Sequence, residues 1–189
     1  MKIVSLLGSP RTKGNSSTIA HHVLKTAATL GVETNTFELN RLTYRGCQGC
    51  YACKTKLDHC ILNDGLTEVL AAVQAADVVL LASPVYYGEI SSQLKGFMDR
   101  TFSYLVPDYR TNPQPSRLGP KKLIFVLTQG HPDETLFGDI FPRYEGFLKW
   151  MGFNEARLIR ACGIGPGTND AVPAQIMRLA EDAAHQLLA

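Results

Sequence analysis

Residues 3–17 read IVSLLGSPRTKGNSS, and this stretch decides the fold class. Residues 3–7 form a short apolar run that ends at Gly8, a pattern typical of a buried strand. From about residue 16 to residue 30, apolar side chains recur at helical spacing, with Asn15 or Ser16 as the predicted N-cap. The chain therefore opens with a strand, a loop that contains glycine, and a helix.

The same alternation of strand and helix continues along the chain. Further strands are predicted over residues 32–39, 78–82, 123–127 and 156–161, and further helices over residues 66–73, 90–105, 139–151 and 172–187. Continuous apolar strands that alternate with amphipathic helices indicate a parallel sheet covered on both faces. Such sheets bind ligands beyond the carboxyl ends of their strands, where the strand order reverses. We therefore expect the functional residues just after the first, third and fourth predicted strands.

The composition excludes several classes of protein. Of 189 residues, 45% are apolar and 19% are charged, which is typical of a globular domain and not of a disordered chain. The formal net charge of +2 is too small for a dedicated nucleic-acid-binding protein. No apolar run approaches the roughly 18 residues of a membrane-spanning helix, and the first apolar run is too short for a signal peptide. We expect a cytoplasmic protein with neither nucleic acid nor membrane as a partner.

The first loop, residues 8–17, is rich in groups that bind anions. Hydroxyl and cationic side chains are dense here, and the N-terminus of the following helix adds unpaired N–H groups. Together they suit a terminal phosphate, and an ordinary turn capped by serine is the alternative. The loop is not that of a P-loop nucleotide hydrolase, because Asn15 follows Gly14 where that motif requires lysine.

The segment after the third strand is suited to a planar ring. Residues 83–100 read SPVYYGEISSQLKGFMDR. Pro84 and Gly88 fix a turn at the end of the strand, and Tyr86 and Tyr87 offer flat apolar faces with polar tips. A pair of aromatic side chains packed in the core is the alternative.

These motifs resemble those of NADPH-dependent FMN reductases in the flavodoxin-like superfamily. GSPRTKGNSS is similar to their phosphate loop, residues 83–100 to the segment that places a Pro-x-Tyr turn beside the isoalloxazine ring, and TQGH at residues 128–131 to a third flavin loop. The resemblance implies one FMN-binding domain over residues 1–189, with a three-layer, doubly wound α/β fold and a five-stranded parallel sheet in the order 2-1-3-4-5. The FMN contacts that it implies are Ser9, Arg11, Thr12, Asn15, Ser16, Ser17, Pro84, Val85, Tyr86, Tyr87, Gly88, Thr128 and Gly130.

A cluster of cysteines follows the second strand. Residues 47–60 read CQGCYACKTKLDHC, so Cys47, Cys50, Cys53 and Cys60 are separated by two, two and six residues. Thiolates in such a compact arrangement can ligate an iron–sulfur cluster. The spacing resembles that of iron–sulfur flavoproteins of the same superfamily, which implies a 4Fe–4S cluster in an insertion spanning about residues 45–62. A zinc site, a redox-active thiol pair and a structural segment without metal are the alternatives.

The resemblance implies an NAD(P)H-dependent flavin oxidoreductase in which flavin N5 carries the chemistry, so no side chain is assigned as catalytic. Electrons would pass from a reduced nicotinamide through FMN to a small-molecule acceptor such as a quinone or a free flavin, or to another redox protein. With a cluster present, reduced ferredoxin is an alternative donor. A non-catalytic electron carrier and a cluster-free FMN reductase are the rival functions, and the family likeness implies a homodimer or homotetramer.

Overall fold

The computed structural model describes residues 1–165 and 172–188. The strands are β1 (Lys2–Leu7), β2 (Glu33–Glu38), β3 (Val78–Tyr86), β4 (Glu89–Ile90), β5 (Lys121–Thr128) and β6 (Phe153–Ala161). The helices are α1 (Asn15–Thr29), α2 (Ala52–Thr55), α3 (Leu66–Ala75), α4 (Ser92–Arg100), α5 (Ile140–Trp150) and α6 (Ala174–Leu188). Two 3₁₀ turns cover Leu39–Arg41 and Thr101–Tyr104.

The strands form a sheet in the order β2-β1-β3-β5-β6, and all of these neighbours pair in parallel. The predicted α/β class and parallel sheet are confirmed. The strand order differs from the predicted one by β4, which pairs antiparallel with the end of β3. This strand has only two residues, too few to leave a periodic pattern in the sequence.

The sheet is covered on both faces, so the molecule has two apolar cores. Ile3 and Leu7 of β1 pack beneath α1 and α6, whereas Val4 and Leu6 of the same strand pack beneath α3, α4 and α5. This alternation follows from the two-residue period of a strand. Each such side chain, when fully buried, contributes about 1.5–3 kcal/mol. Within residues 1–165 and 172–188, no helix is long and apolar enough to cross a membrane.

Helix α4 is shorter than predicted. The apolar spacing suggested a helix through residue 105, but α4 ends at Arg100 and a 3₁₀ turn follows. The hydroxyl of Thr101 donates to the carbonyl of Met98 at 2.7 Å, and the hydroxyl of Ser103 donates to the carbonyl of Arg100 at 2.9 Å. These hydroxyls bond to carbonyl groups at the C-terminal end of α4, where the regular backbone bonding of the helix stops.

Candidate functional site

The structure brings the three predicted loops to one edge of the sheet. In the register of the parallel strands, Leu7 lies beside Ala82, and Pro84 lies beside Thr128. The N–H of Gly8 donates to the carbonyl of Ala82 at 2.8 Å, so the first loop leaves β1 directly against β3. The carboxyl ends of β1, β3 and β5 therefore carry the candidate site, as the strand pattern predicts.

The first loop curls over the N-terminus of α1. The N–H of Arg11 donates to the hydroxyl of Ser9 at 3.1 Å, and the N–H of Gly14 donates to the carbonyl of Arg11 at 3.0 Å. Ser16 and Ser17 are buried, whereas the side chains of Arg11 and Thr12 are exposed. Serine hydroxyls and backbone N–H groups therefore gather in one turn, with exposed positive charge beside them.

The cap of α1 differs from the prediction, which gave this position to Asn15 or Ser16. Gly14 occupies it, and no side chain accepts a hydrogen bond there. The first N–H groups of a helix have no partners within the helix, so this end is open to a negatively charged group. A Cβ atom at Gly14 would lie 2.7 Å from Ser9 Oγ and 3.1 Å from the Arg11 carbonyl, so only glycine fits without movement.

The second loop is a tight β-hairpin. Strand β3 continues to Tyr86, beyond its predicted end at residue 82, and turns into β4 through Tyr87 and Gly88. Both turn residues have positive φ, 52° for Tyr87 and 75° for Gly88, which is the backbone of a type I′ turn. A tyrosine in this conformation is strained, and such strain is concentrated at functional sites.

The hairpin presents its aromatic side chains to solvent. Tyr87 is fully exposed, and Tyr86 is 42% exposed. The alternative interpretation, in which the two tyrosines pack in the core, is therefore wrong. Val85 is partly buried and Pro84 is buried, so the hairpin is packed against the protein at the point where it begins. A planar ring can lie against these residues without displacing any core side chain.

Sequence reasoning missed Ser91, which ties the first two loops together. Its hydroxyl donates to the carbonyl of Gly8 at 2.7 Å and accepts from the N–H of Leu94 at 3.3 Å as the N-cap of α4. Its own N–H donates to the hydroxyl of Ser83 at 2.8 Å. The signal was present, because a serine just before a helical run is a typical cap. The hydrogen bond to Gly8 could not be predicted from the residues around Ser91.

The third loop is shaped by Gln129, which was also missed. Its amide donates to the carbonyls of His131 and Asp133, both at 2.9 Å, and its carbonyl accepts from Arg160 at 2.7 Å. The N–H of Asp133 donates to Nδ1 of His131 at 3.1 Å, which gives this histidine a role within the loop. Thr128 is buried and Gly130 is exposed, so Gly130 is the more accessible of the two predicted contacts.

The four clustered cysteines line one pocket. Cys53 lies in the short helix α2 and is buried, Cys60 is partly buried, and Cys47 and Cys50 are exposed. All four are free thiols that surround the same small cavity. Within the described part of the chain, no three His, Cys, Asp or Glu side chains are arranged to hold a metal ion. The pocket is therefore present, and cluster ligation stays a prediction.

Arg100 forms one wall of this cysteine pocket and is completely buried. Its guanidinium pairs with the Asp64 carboxylate at 2.9 Å and donates to the carbonyls of Arg45 and Leu62. Burial alone would raise the pKa of Asp64, but hydrogen bonds from Arg100 and from the N–H groups of Arg45 and Leu66 outweigh it, so the pKa is lowered. The Nε of Arg100 is buried without a hydrogen-bond partner among the residues described.

Two further cations hold the cysteine segment (residues 47–60) against the 3₁₀ turn after α4. Lys54 donates to the carbonyls of Phe102 and Leu105, and Arg117 donates to the carbonyls of Ser103, Leu105 and Cys53. Burial lowers the pKa of Lys54, and the adjacent Cys53 thiol opposes that shift. The contacts of Lys54 span 48 and 51 positions and the contact of Arg117 with Cys53 spans 64, which no local pattern in the sequence can reveal.

The model of the NADPH-dependent FMN reductase family matches residues 1–131, more than half of the chain. That range contains the three loops and the cysteine segment. The chain belongs to the NADPH-dependent FMN reductase family. Within this FMN reductase family member, the matched range ends at the third loop, so β6 and α6 lie outside it.

Curated relatives of this family member match it over part of their length. An iron–sulfur flavoprotein of Methanocaldococcus jannaschii is 38% identical over 101 residues, 53% of this chain and 52% of the relative. An FMN-dependent NADH:quinone oxidoreductase of Yersinia enterocolitica is 31% identical over 110 residues, 57% of this chain and 55% of the relative. The chain thus spans about half the length of these relatives.

Solved structures match the fold along its whole length. An NAD(P)H:quinone oxidoreductase from Methanothermobacter marburgensis has a TM-score of 0.79 at 19% identity, and the match covers all of this chain and 96% of that one. At this identity the likeness shows the fold alone. It establishes that the sheet and its helices have a known α/β architecture.

The residue types present match the donors that both implied groups require. The uncapped start of α1, with Ser9, Ser16 and Ser17 around it, suits the phosphate of FMN. At the cysteine pocket, four thiols supply the donor set of an iron–sulfur cluster. The unpartnered Nε of buried Arg100 on the wall of that pocket is a hydrogen-bond donor that still needs an acceptor.

Proposed function

We propose that this chain is an FMN-dependent oxidoreductase that takes electrons from NAD(P)H and passes them to a small-molecule acceptor such as a quinone. The observation that carries the proposal is the meeting of an uncapped helix N-terminus and an exposed tyrosine hairpin at one edge of a parallel sheet. Membership of the NADPH-dependent FMN reductase family and the likeness to an FMN-dependent NADH:quinone oxidoreductase support it. We further propose that the whole chain acts as one cytoplasmic domain in a homodimer or homotetramer.

Each loop has its own task in the proposed mechanism. The first loop holds the phosphate through Ser9, Ser16 and Ser17 and through the open N–H groups of α1. The hairpin supports the ring with Tyr86 and Tyr87. FMN, when bound, supplies the hydride-accepting and electron-donating chemistry. The protein itself provides binding and orientation, and the exposed hairpin leaves one side of the site open to nicotinamide and acceptor.

We also propose that Cys47, Cys50, Cys53 and Cys60 ligate a 4Fe–4S cluster. Their position around one pocket supports this assignment, as do the partnerless Nε of Arg100 and the name of the Methanocaldococcus relative. A cluster would let the protein exchange single electrons, for example with a ferredoxin. Zinc ligation or a structural role for the thiols is the rival assignment.

Flavin binding is tested by reconstitution. Protein stripped of any ligand is titrated with FMN and with riboflavin, which lacks the phosphate, while tyrosine and flavin fluorescence are recorded. We expect tight binding of FMN and binding of riboflavin weakened at least a hundredfold, because the first loop acts only on the phosphate. Equal affinity for the two ligands would contradict the role of the first loop.

An activity assay distinguishes an oxidoreductase from a non-catalytic electron carrier. The FMN-loaded protein is assayed for NADH and NADPH oxidation with a water-soluble quinone. Steady turnover that depends on both substrates supports the proposal. If the FMN-loaded protein oxidises neither NADH nor NADPH with any quinone or azo acceptor, the protein is a non-catalytic electron carrier.

The cluster assignment is tested by metal analysis under anaerobic conditions. Iron, sulfide and zinc are measured in the wild type and in Cys53→Ser, with Cys162→Ser as the matched control because this thiol lies outside the cysteine pocket. We expect iron and sulfide in the wild type and in the Cys162 variant, and their loss in the Cys53 variant. Zinc in place of iron would support the rival assignment.

A further inference from the structure

Lys54 is a buried cation in the middle of the cysteine segment. It follows Cys53 directly in α2, and it is only 9% exposed. Its ammonium group donates to the carbonyl of Phe102 at 2.6 Å and to the carbonyl of Leu105 at 2.8 Å, and it lies 3.5 Å from Cys53 Sγ. It also sits 4.2 Å above the centre of the Phe102 ring. The three donors of the ammonium thus reach three acceptors.

The positive charge of Lys54 has no carboxylate beside it. Among the residues described, neither Lys54 nor Arg117 forms an ion pair, and the partners of both are carbonyl groups and sulfur. Buried charges in proteins are normally paired. By contrast, Arg100, which lines the cysteine pocket, is paired with Asp64. In the part of the chain that the structure describes, the one group beside the ammonium of Lys54 that can carry a negative charge is the thiol of Cys53, which lines the cysteine pocket.

Lys54 and Arg117 also hold the same piece of backbone. Both donate to the carbonyl of Leu105, and Arg117 donates in addition to the carbonyl of Cys53. Cys53 is thereby fixed to the turn that follows α4 through two side chains. The rest of the cysteine segment has little regular structure, because α2 covers only four residues.

We propose that Lys54 is a positioning residue of the cysteine pocket, which fixes Cys53 against the turn at residues 102–105 and supplies positive charge to offset a thiolate-ligated iron–sulfur cluster. The inference rests on the proposed cluster. A cluster with four thiolates gains one further negative charge when it takes up an electron. A fixed cation within a few ångströms stabilises the reduced form more than the oxidised form, so it raises the reduction potential.

The test is a redox titration of the reconstituted protein, followed by electron paramagnetic resonance. Three variants are compared with the wild type: Lys54→Met, which removes the charge, Lys54→Arg, which keeps it, and Lys56→Met as the matched control. Lys56 lies two positions away in the same segment but is exposed. Removing its charge therefore changes the net charge equally without touching the pocket.

We expect Lys54→Met to lower the equilibrium constant for one-electron reduction of the cluster about tenfold, a shift of about 59 mV. Lys54→Arg and Lys56→Met should stay within threefold of the wild type. Equal potentials in Lys54→Met and Lys56→Met would overturn the charge role. A wild type that takes up no iron and sulfide would contradict the cluster assignment itself, and the charge role with it, so the two failures are distinguishable.

The positioning role of Lys54 is tested in protein without the cluster. Hydrogen exchange is measured on the cluster-free wild type, Lys54→Met and Lys56→Met. We expect faster exchange at residues 52–57 and 102–105 in Lys54→Met only. Unchanged exchange would overturn the positioning role, even where Lys54→Met fails to hold a cluster.

Discussion

The flavin loops and the cysteine segment are built in opposite ways. The flavin loops grow directly out of buried strands, and their backbone is bonded to the sheet, as in the contact between Gly8 and Ala82. The cysteine segment leaves the sheet and is held by long cationic side chains. Lys54 donates to carbonyl groups 48 and 51 positions away, Arg117 donates to the carbonyl of Cys53, and Arg100 bonds to Arg45 and Leu62 on either side of the segment. We therefore expect single side-chain changes to disturb the cysteine pocket more than the flavin site.

The largest effect is expected at Asp64, the partner of buried Arg100. Asp64→Ala leaves a fully buried guanidinium unpaired, which typically destabilises a protein by about 3–5 kcal/mol. The measurement is the free energy of unfolding from denaturant titration. Asp99→Ala is the control, since it breaks the exposed pair with Lys95 and should cost less than about 0.5 kcal/mol. Equal losses in the two variants would contradict the comparison.

Acid should weaken the ion pair between Asp64 and Arg100. The pKa of Asp64 is lower in the folded protein than in the unfolded chain, so its charge stabilises the fold above the unfolded value of about 3.9. That contribution is lost as pH falls through the lower, folded pKa. The difference in unfolding free energy between the wild type and Asp64→Asn should therefore be full at pH 7 and shrink below about pH 4. A difference that is the same at pH 7 and pH 3 would argue against this role.

Substitution of Ser91, beside the flavin loops, should have an intermediate effect on stability. Ser91→Ala removes the helix cap and leaves the buried carbonyl of Gly8 without its hydroxyl donor, at a cost of about 1–2 kcal/mol. FMN affinity should fall a few-fold, because the first loop loses its link to the hairpin. Ser92→Ala, one position along and exposed, should leave both quantities unchanged. Unfolding and FMN titrations check the pair.

Gly14 tests the shape of the first loop. A methyl group in Gly14→Ala would meet Ser9 Oγ at 2.7 Å, so the loop must shift and FMN should bind about tenfold more weakly, or about 1.4 kcal/mol. Gly146→Ala in α5 is the control, because open space surrounds that position. An unchanged FMN dissociation constant in Gly14→Ala would show that the loop adapts freely.

The smallest effect on stability is expected at Tyr87, where function and stability should separate. Tyr87→Gly relieves the positive-φ strain of the turn, a gain of about 1 kcal/mol, partly offset by the greater freedom of glycine in the unfolded chain. The variant should be at least as stable as the wild type but bind FMN more weakly. A loss of stability with unchanged FMN affinity would contradict its place beside the ring.

The two regions also differ in how far the sequence predicts them. The first loop and the turn between Pro84 and Gly88 were predicted as parts of the candidate site because their chemistry lies in contiguous residues at the ends of apolar strands. The cap at Gly14 and the two-residue strand β4 were missed because neither leaves a periodic pattern in the sequence, and the link from Ser91 to Gly8 was missed because it joins residues 83 positions apart. The same holds for Lys54, whose carbonyl partners lie 48 and 51 positions away.

The most direct test of the account is the visible spectrum of protein purified under strict anaerobiosis, with flavin, iron and sulfide measured on the same sample. We predict flavin absorption bands together with a broad, reducible shoulder, and a ratio of one FMN and four irons per chain. Flavin bands without iron would support the flavin site at the edge of the sheet and would contradict the assignment of a cluster to the cysteine pocket. A colourless protein that cannot be reconstituted with FMN would contradict the central claim.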